Sequence, residues 1–420
     1  MFTELTPDEF NKFASTHENS IFFQSSYWGG LKAGTGWKHF LVGLKKNGEI
    51  KAATILLAKK TPVIGKYIFY APRGYLLDYT DLALLKTFSV EVIKFVKEHD
   101  GIFIKINPPV VYQQRDVDGN IVEGGFNNKK LVEFLKNEGY KHVGFTTDFG
   151  KDIEPRWISV LDLRGKTEED YKAGLHTTAR LNVNNSHKHG LKLVQIDKSR
   201  MQEFRDLMEH TAERRGFLNR PVSYYNKMFD SFGDYIKIML VELDVKDSVW
   251  SYETKKQKLQ EQLERESKKE KVKESRLKEL AKQITSAEKK ISEMQTIEKD
   301  YGNKVVVAGG LFMTFGRQVV SVFGASYRQF MKYKGQYFLN DEMIRFAIKN
   351  GYDQYNFYGI AAEFTEDSEM YGLFDFKRGF GACVQELIGE FTYVTNPFYN
   401  ALYNAMYKAY RGVKKLKARG

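Results

Sequence analysis

The sequence predicts a mixed α/β chain in which one α/β unit occurs twice and a helical hairpin is set into the second copy. Two observations carry this. The same order of elements (strand, strand, turn, helix, strand) can be read in both halves of the chain. The stretch from Ser251 to Asp300 holds neither Gly nor Pro, while the chain on either side is rich in aromatic and β-branched residues.

The elements follow in order. Thr6-Pro7-Asp8-Glu9 is a helix start: a capping hydroxyl, Pro in the first turn, and acids facing the helix dipole. In the first unit, Ile50 to Ala58 and Tyr67 to Tyr70 read as strands, Arg73-Gly74 as a turn, Leu84 to Lys97 as a helix, and Ile102 to Ile106 as a strand ending at Asn107-Pro108. In the second, Val305 to Thr314 and Val319 to Phe323 read as strands, Gly324-Ala325-Ser326 as a turn, Asn340 to Lys349 as a helix, and Tyr355 to Phe357 as a strand. Both helices stop near a glycine, Gly101 and Gly351. The second unit opens with a strand at Trp157 to Leu163 and the helices Met201 to Arg215 and Val222 to Phe232. The strand Tyr235 to Leu243 then leads into the hairpin. A strand Val384 to Tyr393 and a helix from Pro397 close the chain. The expected division is 1–150 for the first unit, 151–247 with 301–395 for the second, 248–300 for the arm, and 396–420 for the last helix.

In the arm, Leu277, Leu280, Ile284, Ala287, Ile291 and Met294 recur at three-four spacing, the seam of a coiled coil. Leu259 and Leu263 give a weaker seam upstream, and Glu264 to Ser275 between them is almost wholly charged. As an insertion, the arm requires its flanking strands to meet beneath it. Two readings stay open. It is a solvated spacer or homodimer contact, or it is a lysine-rich arm for a long polyanion such as tRNA, with Lys268 and Lys269 as candidate contacts.

The 420 residues carry a net charge of +12, which implies an anionic partner: nucleic acid, a nucleotide-linked substrate or an anionic membrane face. Cys383 is the only cysteine, so no intrachain disulfide and no cysteine-pair zinc site can form, and a reducing compartment is expected. Among apolar neighbours it reads as a core residue. No apolar run reaches the roughly 20 residues of a bilayer span. The expected location is cytoplasmic, at most peripheral to the inner face of the plasma membrane. The closing helix has Leu402, Met406 and Val413 on one side and ends in Lys414, Lys415, Lys417 and Arg419. The basic end favours the helix dipole, or it forms an interfacial patch near anionic lipid.

From Tyr355 the chain reads YNFYGIAAEFTEDSEMYGLFDFKRGFGACVQELIGEF. Earlier come FFQSSYWGGLK, YIFYAPRGYLLDY, WISVLDLRGKTEEDY, HTTARLNVNNSHKHG and VFGAS. These blocks, in this order, resemble the Fem family of peptidoglycan aminoacyltransferases, its coiled-coil-bearing members most. The resemblance implies two tandem acetyltransferase-like units and no cofactor. It implies transfer of an amino acid from aminoacyl-tRNA to the peptide stem of a peptidoglycan precursor, lipid II or UDP-MurNAc-pentapeptide, to make a cross-bridge.

An aminoacyl ester is already activated, so positioning, proton removal and charge stabilisation suffice. The resemblance places Lys377, with Phe376 before it, at the reacting centre. It places Lys32, Arg220 and Tyr224 on the precursor, with Tyr225 leaving open which tyrosine faces the substrate. Two family positions differ. Asn107 stands where an aspartate is usual and cannot act as a base, and Phe323 replaces a tyrosine, removing a hydroxyl contact. Substrate-assisted deprotonation, or proton loss to water, becomes the expectation. Arg180 keeps its family spacing, and Lys188 adds charge for tRNA. His187 and His189 suggest a metal pair with no third ligand near, so no metal site is expected. The rivals are an acyl-CoA-dependent N-acyltransferase and a non-catalytic coiled-coil RNA-binding protein. Gly379 and Gly381 lack the strand-loop-helix context of a phosphate loop, which counts against the first.

Overall fold

The computed structural model describes residues 1–147, 152–271 and 273–417, with side chains as far as Ala409. Arg419 and the side chains of Lys414, Lys415 and Lys417 therefore lie outside the described residues, as does the expected boundary at 150.

The chain builds two sheets. The first runs Phe2–Glu4, Trp37–Lys46, Glu49–Lys60, Tyr67–Ala71, Gly101–Ile106, Phe391–Val394 and Lys141–His142 from edge to edge. The second runs Val111–Gln113, Cys383–Leu387, Trp157–Asp162, Gln354–Gly359, Gln318–Ser326, Lys304–Met313, Ile236–Asp244 and Leu191–Ile196. Each contains four antiparallel strands followed by one parallel step. In the first sheet Tyr67–Ala71 lies parallel to Gly101–Ile106, in the second Gln318–Ser326 lies parallel to Gln354–Gly359. Parallel neighbours need a crossover. Here the helices Leu82–Glu98 and Gly335–Lys349 supply it. The repeated unit inferred from element order is thus a repeat of topology.

Two expected boundaries change. The closing strand is two strands, because Gly389 takes a left-handed conformation (φ 88°) that turns the chain. Cys383–Leu387 stays in the second sheet, while Phe391–Val394 enters the first between Gly101–Ile106 and Lys141–His142. In return Val111–Gln113 leaves the first unit and pairs with Cys383–Leu387. The expected turn at Gly324–Ser326 is strand, paired with Ala308–Gly310. Cys383 is exposed, not core, since strand alternation buries Val384 instead. One apolar cluster spans both halves, joining Phe22, Trp28 and Ile55 to Phe204, Phe232 and Leu311. The two units are packed as one body.

The arm is the pair of helices Val245–Ser267 and Glu274–Tyr301. They run antiparallel, with Lys256 Nζ 2.9 Å from Glu288. Leu259, Leu280, Ala287, Met294 and Ile297 are buried, and Leu263, Leu277, Ile284 and Ile291 half-buried. The flanking strands pair directly beneath, Asp244 opposite Lys304. At 1.5 Å per residue the longer helix, 28 residues, reaches about 40 Å. Its root is docked: Met294 and Ile297 enter the second unit's core, Glu293 accepts from the Tyr333 hydroxyl, and Lys332 Nζ lies 2.6 Å from Glu293. Among the described residues no helix is long and apolar enough to cross a membrane.

Candidate functional site

A cleft of about 690 Å³ lies over the first sheet and under the last helix, Pro397–Lys417. Trp28, Lys32, Tyr70, Lys105, Glu154 and Tyr403 are among its walls. Lys32 is set by the helix Ser26–Ala33, whose first turn is capped by the Ser25 hydroxyl accepting from Trp28 N at 3.2 Å. Its Nζ stands 4.4 Å from the centre of the Trp28 ring. Burial lowers its pKa, the nearby Glu154 carboxylate opposes this, and the Arg220 and Lys59 charges add to it.

Arg220 is exposed and precedes the helix Val222–Phe232, which Pro221 opens. The expectation of one helical face for Arg220 and Tyr224 is therefore replaced by stacking: the guanidinium lies 5.3 Å from the Tyr224 ring centre. The two tyrosines differ in environment. Tyr225 is fully buried and its hydroxyl donates to Asn219 Oδ1 at 2.8 Å, so it is core. Tyr224 is half-buried, and burial raises its hydroxyl pKa, with Arg220 and Glu154 among the charges acting on it. Phe323 packs its ring 6.0 Å from that of Tyr225, on the core side of the pair.

Glu154 occupies the point where these groups meet. It accepts from the Tyr358 hydroxyl. Loss of solvent pushes its carboxyl up, opposed by Arg73, Tyr358 and Lys32, while Glu390 adds to the rise. The chain is pinned on both sides of it: Ile153 N donates to Glu390 Oε1 at 2.6 Å, and Arg73 Nη2 donates to Pro155 O at 2.6 Å. Asn107 is buried and serves this wall as an acceptor. Its Oδ1 takes bonds from the Tyr70 hydroxyl (3.1 Å) and from Arg73 N (2.8 Å). That acceptor role needs only the side-chain oxygen, and the buried Nδ2 has no hydrogen-bond partner among the described residues.

Behind the wall is a second cavity of about 440 Å³, with Arg73, Gln318, Asn356, Tyr358 and Gln385 among its lining. Tyr358 thus faces one cavity while bonding a residue of the other. Its backbone is left-handed (φ 65°), and its N–H donates to Asn356 Oδ1 at 2.8 Å. Lys377, on the helix Tyr371–Arg378, lines neither cavity. It is buried and donates from Nζ to Gly359 O at 2.7 Å and to Tyr358 O at 3.4 Å. Burial brings its pKa down to about 7. Phe376 packs against Tyr337, ring centres 5.0 Å apart.

The tRNA candidates do not converge. Arg180 and Lys188 are exposed at the helix Thr177–Ser186 and the turn after it. Lys268 and Lys269 sit at the arm's far tip. His187 does have carboxylate neighbours, Asp341 at 2.8 Å and Glu342 at 4.0 Å. Arg345 Nε donates to the same Asp341 oxygen at 2.8 Å, so this is an ion-pair cluster in which a cation's place is already taken by a guanidinium. His189 turns away to the Tyr252 hydroxyl (3.4 Å), and burial holds its pKa at about 4.

Sequence reasoning missed Glu154, Tyr358 and Arg73. The available signals were slight: a Glu-Pro step just before the strand Trp157–Asp162, and a tyrosine inside the block YNFYG.

Comparison with known proteins gives a consistent result. The FemAB family model matches residues 5–408. The chain is 31% identical over 408 residues to aminoacyltransferase FemB of Staphylococcus epidermidis, covering 93% of this chain and 94% of that one. It is 30% identical over 425 residues to aminoacyltransferase FemA of Staphylococcus aureus, covering 100% and 99%. The crystal structure of FemX superposes with a TM-score of 0.80 at 26% identity, over 96% of this chain and 99% of that one.

Proposed function

The chain belongs to the FemAB family, with relatives named aminoacyltransferases along its whole length, and we propose that it moves an amino acid from aminoacyl-tRNA to the peptide stem of a peptidoglycan precursor to build the interpeptide cross-bridge. The observation that carries this reading is that Lys32 and Glu154 line one cleft, with the Arg220 guanidinium close enough for its charge to act on Lys32 and on Tyr224. The cationic groups suit a phosphate or carboxylate, and the aromatic walls suit the sugar-peptide portion. No protein nucleophile is needed. The exposed Cys383 lines neither cavity, so it is not offered as one.

The donor tRNA is assigned to the arm and to Arg180 and Lys188. The arm's tip supports this, with Lys268, Lys269, Lys271 and Lys273 against Glu270. A lipid-linked precursor would bring the protein to the inner face of the plasma membrane. The helix Pro397–Lys417, which roofs the cleft, supports that placement by exposing Phe398, Leu402 and Tyr407.

Incubation with mixed charged tRNAs and either lipid II or its nucleotide-linked form should yield a precursor heavier by one amino-acid residue. A precursor of unchanged mass with every charged tRNA refutes the assignment. Arg220→Ala should weaken precursor binding by roughly 1.5–3 kcal/mol, the value of hydrogen bonds to a charged group. Arg220→Glu should be worse, because it adds repulsion. Calorimetry showing wild-type affinity for both removes Arg220 from the precursor site.

A further inference from the structure

The geometry points to Glu154 as the group that takes the proton from the attacking amine, with Tyr358 as its positioning residue, at the partition between the two cavities. This rests on the transfer reading above and supplies the proton acceptor which that reading leaves unnamed.

Glu154 is the single carboxylate among the described residues lining the larger cleft. The one imidazole there, His142, has its Nε2 2.9 Å from Ile388 O. Lys32, Lys105 and Lys141 are cations, and Asn107 has no basicity. A general base must reach the proton it removes and must be held still. Glu154 is held three ways: by the Tyr358 hydroxyl, by the Ile153 N–H on Glu390, and by the Pro155 carbonyl on Arg73. The charged groups acting on it are Lys32, Arg73 and Glu390, and Tyr70 and Tyr224 are hydroxyl-bearing neighbours that sense its charge. Desolvation raises its carboxyl, which makes it a better base than a solvent-exposed glutamate once ionised.

The step balances without further reagents. The neutral amine nitrogen attacks the ester carbonyl, and Glu154 takes one N–H proton as the C–N bond forms. The bond from carbonyl carbon to ribose oxygen then breaks. The proton passes from Glu154 to that oxygen, leaving an amide, a free tRNA hydroxyl and the original carboxylate.

Two variants of the full chain test this, read by single-turnover transfer at saturating precursor and charged tRNA across the acidic limb of the pH profile. Glu154→Gln should lower the rate by about a hundredfold or more and abolish the acidic limb, with precursor affinity by calorimetry retained. Tyr358→Phe removes a hydroxyl that favours the ionised carboxylate, so its acidic limb should move to higher pH, a shift that a purely structural role would not produce. A wild-type rate for Glu154→Gln overturns the proposal, as does a slower rate with the acidic limb unchanged. If Glu154→Gln binds no precursor, Tyr358→Phe decides, and an unmoved limb overturns the proposal. Failure of the transfer reading is separate: wild-type protein would then give no product with any charged tRNA.

Discussion

Lys377→Met should be both slower than the wild-type protein and more stable than it near neutral pH. The transfer rate should fall by up to about a hundredfold, the scale of a 1 Å misplacement of positioned groups by a change away from the chemistry. Lys377 ties down the carbonyls of Tyr358 and Gly359, and Tyr358 keeps a left-handed backbone that few side chains favour. Without the lysine, the partition between the cavities loses its anchor.

The stability effect follows from the lysine's burial. Its folded pKa is about 7, against roughly 10.4 for a free lysine. Between those values the unfolded chain holds a proton that the folded chain does not, so wild-type stability rises with pH across the window. At and below pH 7 the folded protein bears the full cost of a charged, desolvated ammonium. Methionine removes it, so the variant should gain roughly 1–4 kcal/mol at pH 6, with the gain shrinking by pH 10. Urea unfolding at the two pH values measures this. A pH-independent gap would show that the ammonium is not its source, and an unchanged single-turnover rate constant would take Lys377 out of the mechanism.

Shortening the arm should cost tRNA binding and nothing else. The cut is best made across the Lys256–Glu288 pair, removing residues 256–288 and closing with a short turn. A cut nearer the body would take away Glu293, Met294 and Ile297, which dock the root. With the root kept, the midpoint of thermal unfolding and precursor affinity should stay near wild type. Affinity for charged tRNA should fall at least about tenfold, and its dependence on salt should flatten as phosphate contacts are lost. A folded variant with unchanged tRNA dependence would make the arm a spacer or a dimer contact, and sedimentation of both forms would distinguish these.

What the sequence revealed, and what it hid, have physical causes. The arm was legible because a coiled-coil seam is local: Leu280, Ala287 and Met294 announce it by spacing alone. The first helix was legible because Thr6 and Glu9 form a capping box within four residues. Lys32, Arg220 and Tyr224 came from family resemblance, and the structure stacks Arg220 on Tyr224 and sets Lys32 beside Glu154 in the cleft wall. Glu154 itself lies outside any periodic segment, and its environment is made by Arg73, Tyr358 and Glu390, which are distant in sequence. No local pattern encodes such a meeting. The strand exchange was hidden for the same reason. Val384 to Tyr393 reads as one strand, and only tertiary pairing tells that Gly389 divides it between two sheets.

That exchange has a consequence for how the chain is made. On the ribosome, Gly101–Ile106 and Lys141–His142 emerge early, yet the strand that belongs between them is synthesised almost last. At bacterial-type rates of about 5–20 residues per second, the gap stays open for on the order of tens of seconds. Throughout that time the nascent first half carries unpaired backbone amides and carbonyls along Gly101–Ile106, a template for wrong pairing. The two halves cannot be finished one after the other. The molecule closes once, when its C-terminal strand arrives, and a polypeptide released before residue 391 would have every segment of its first unit except the one that seals it.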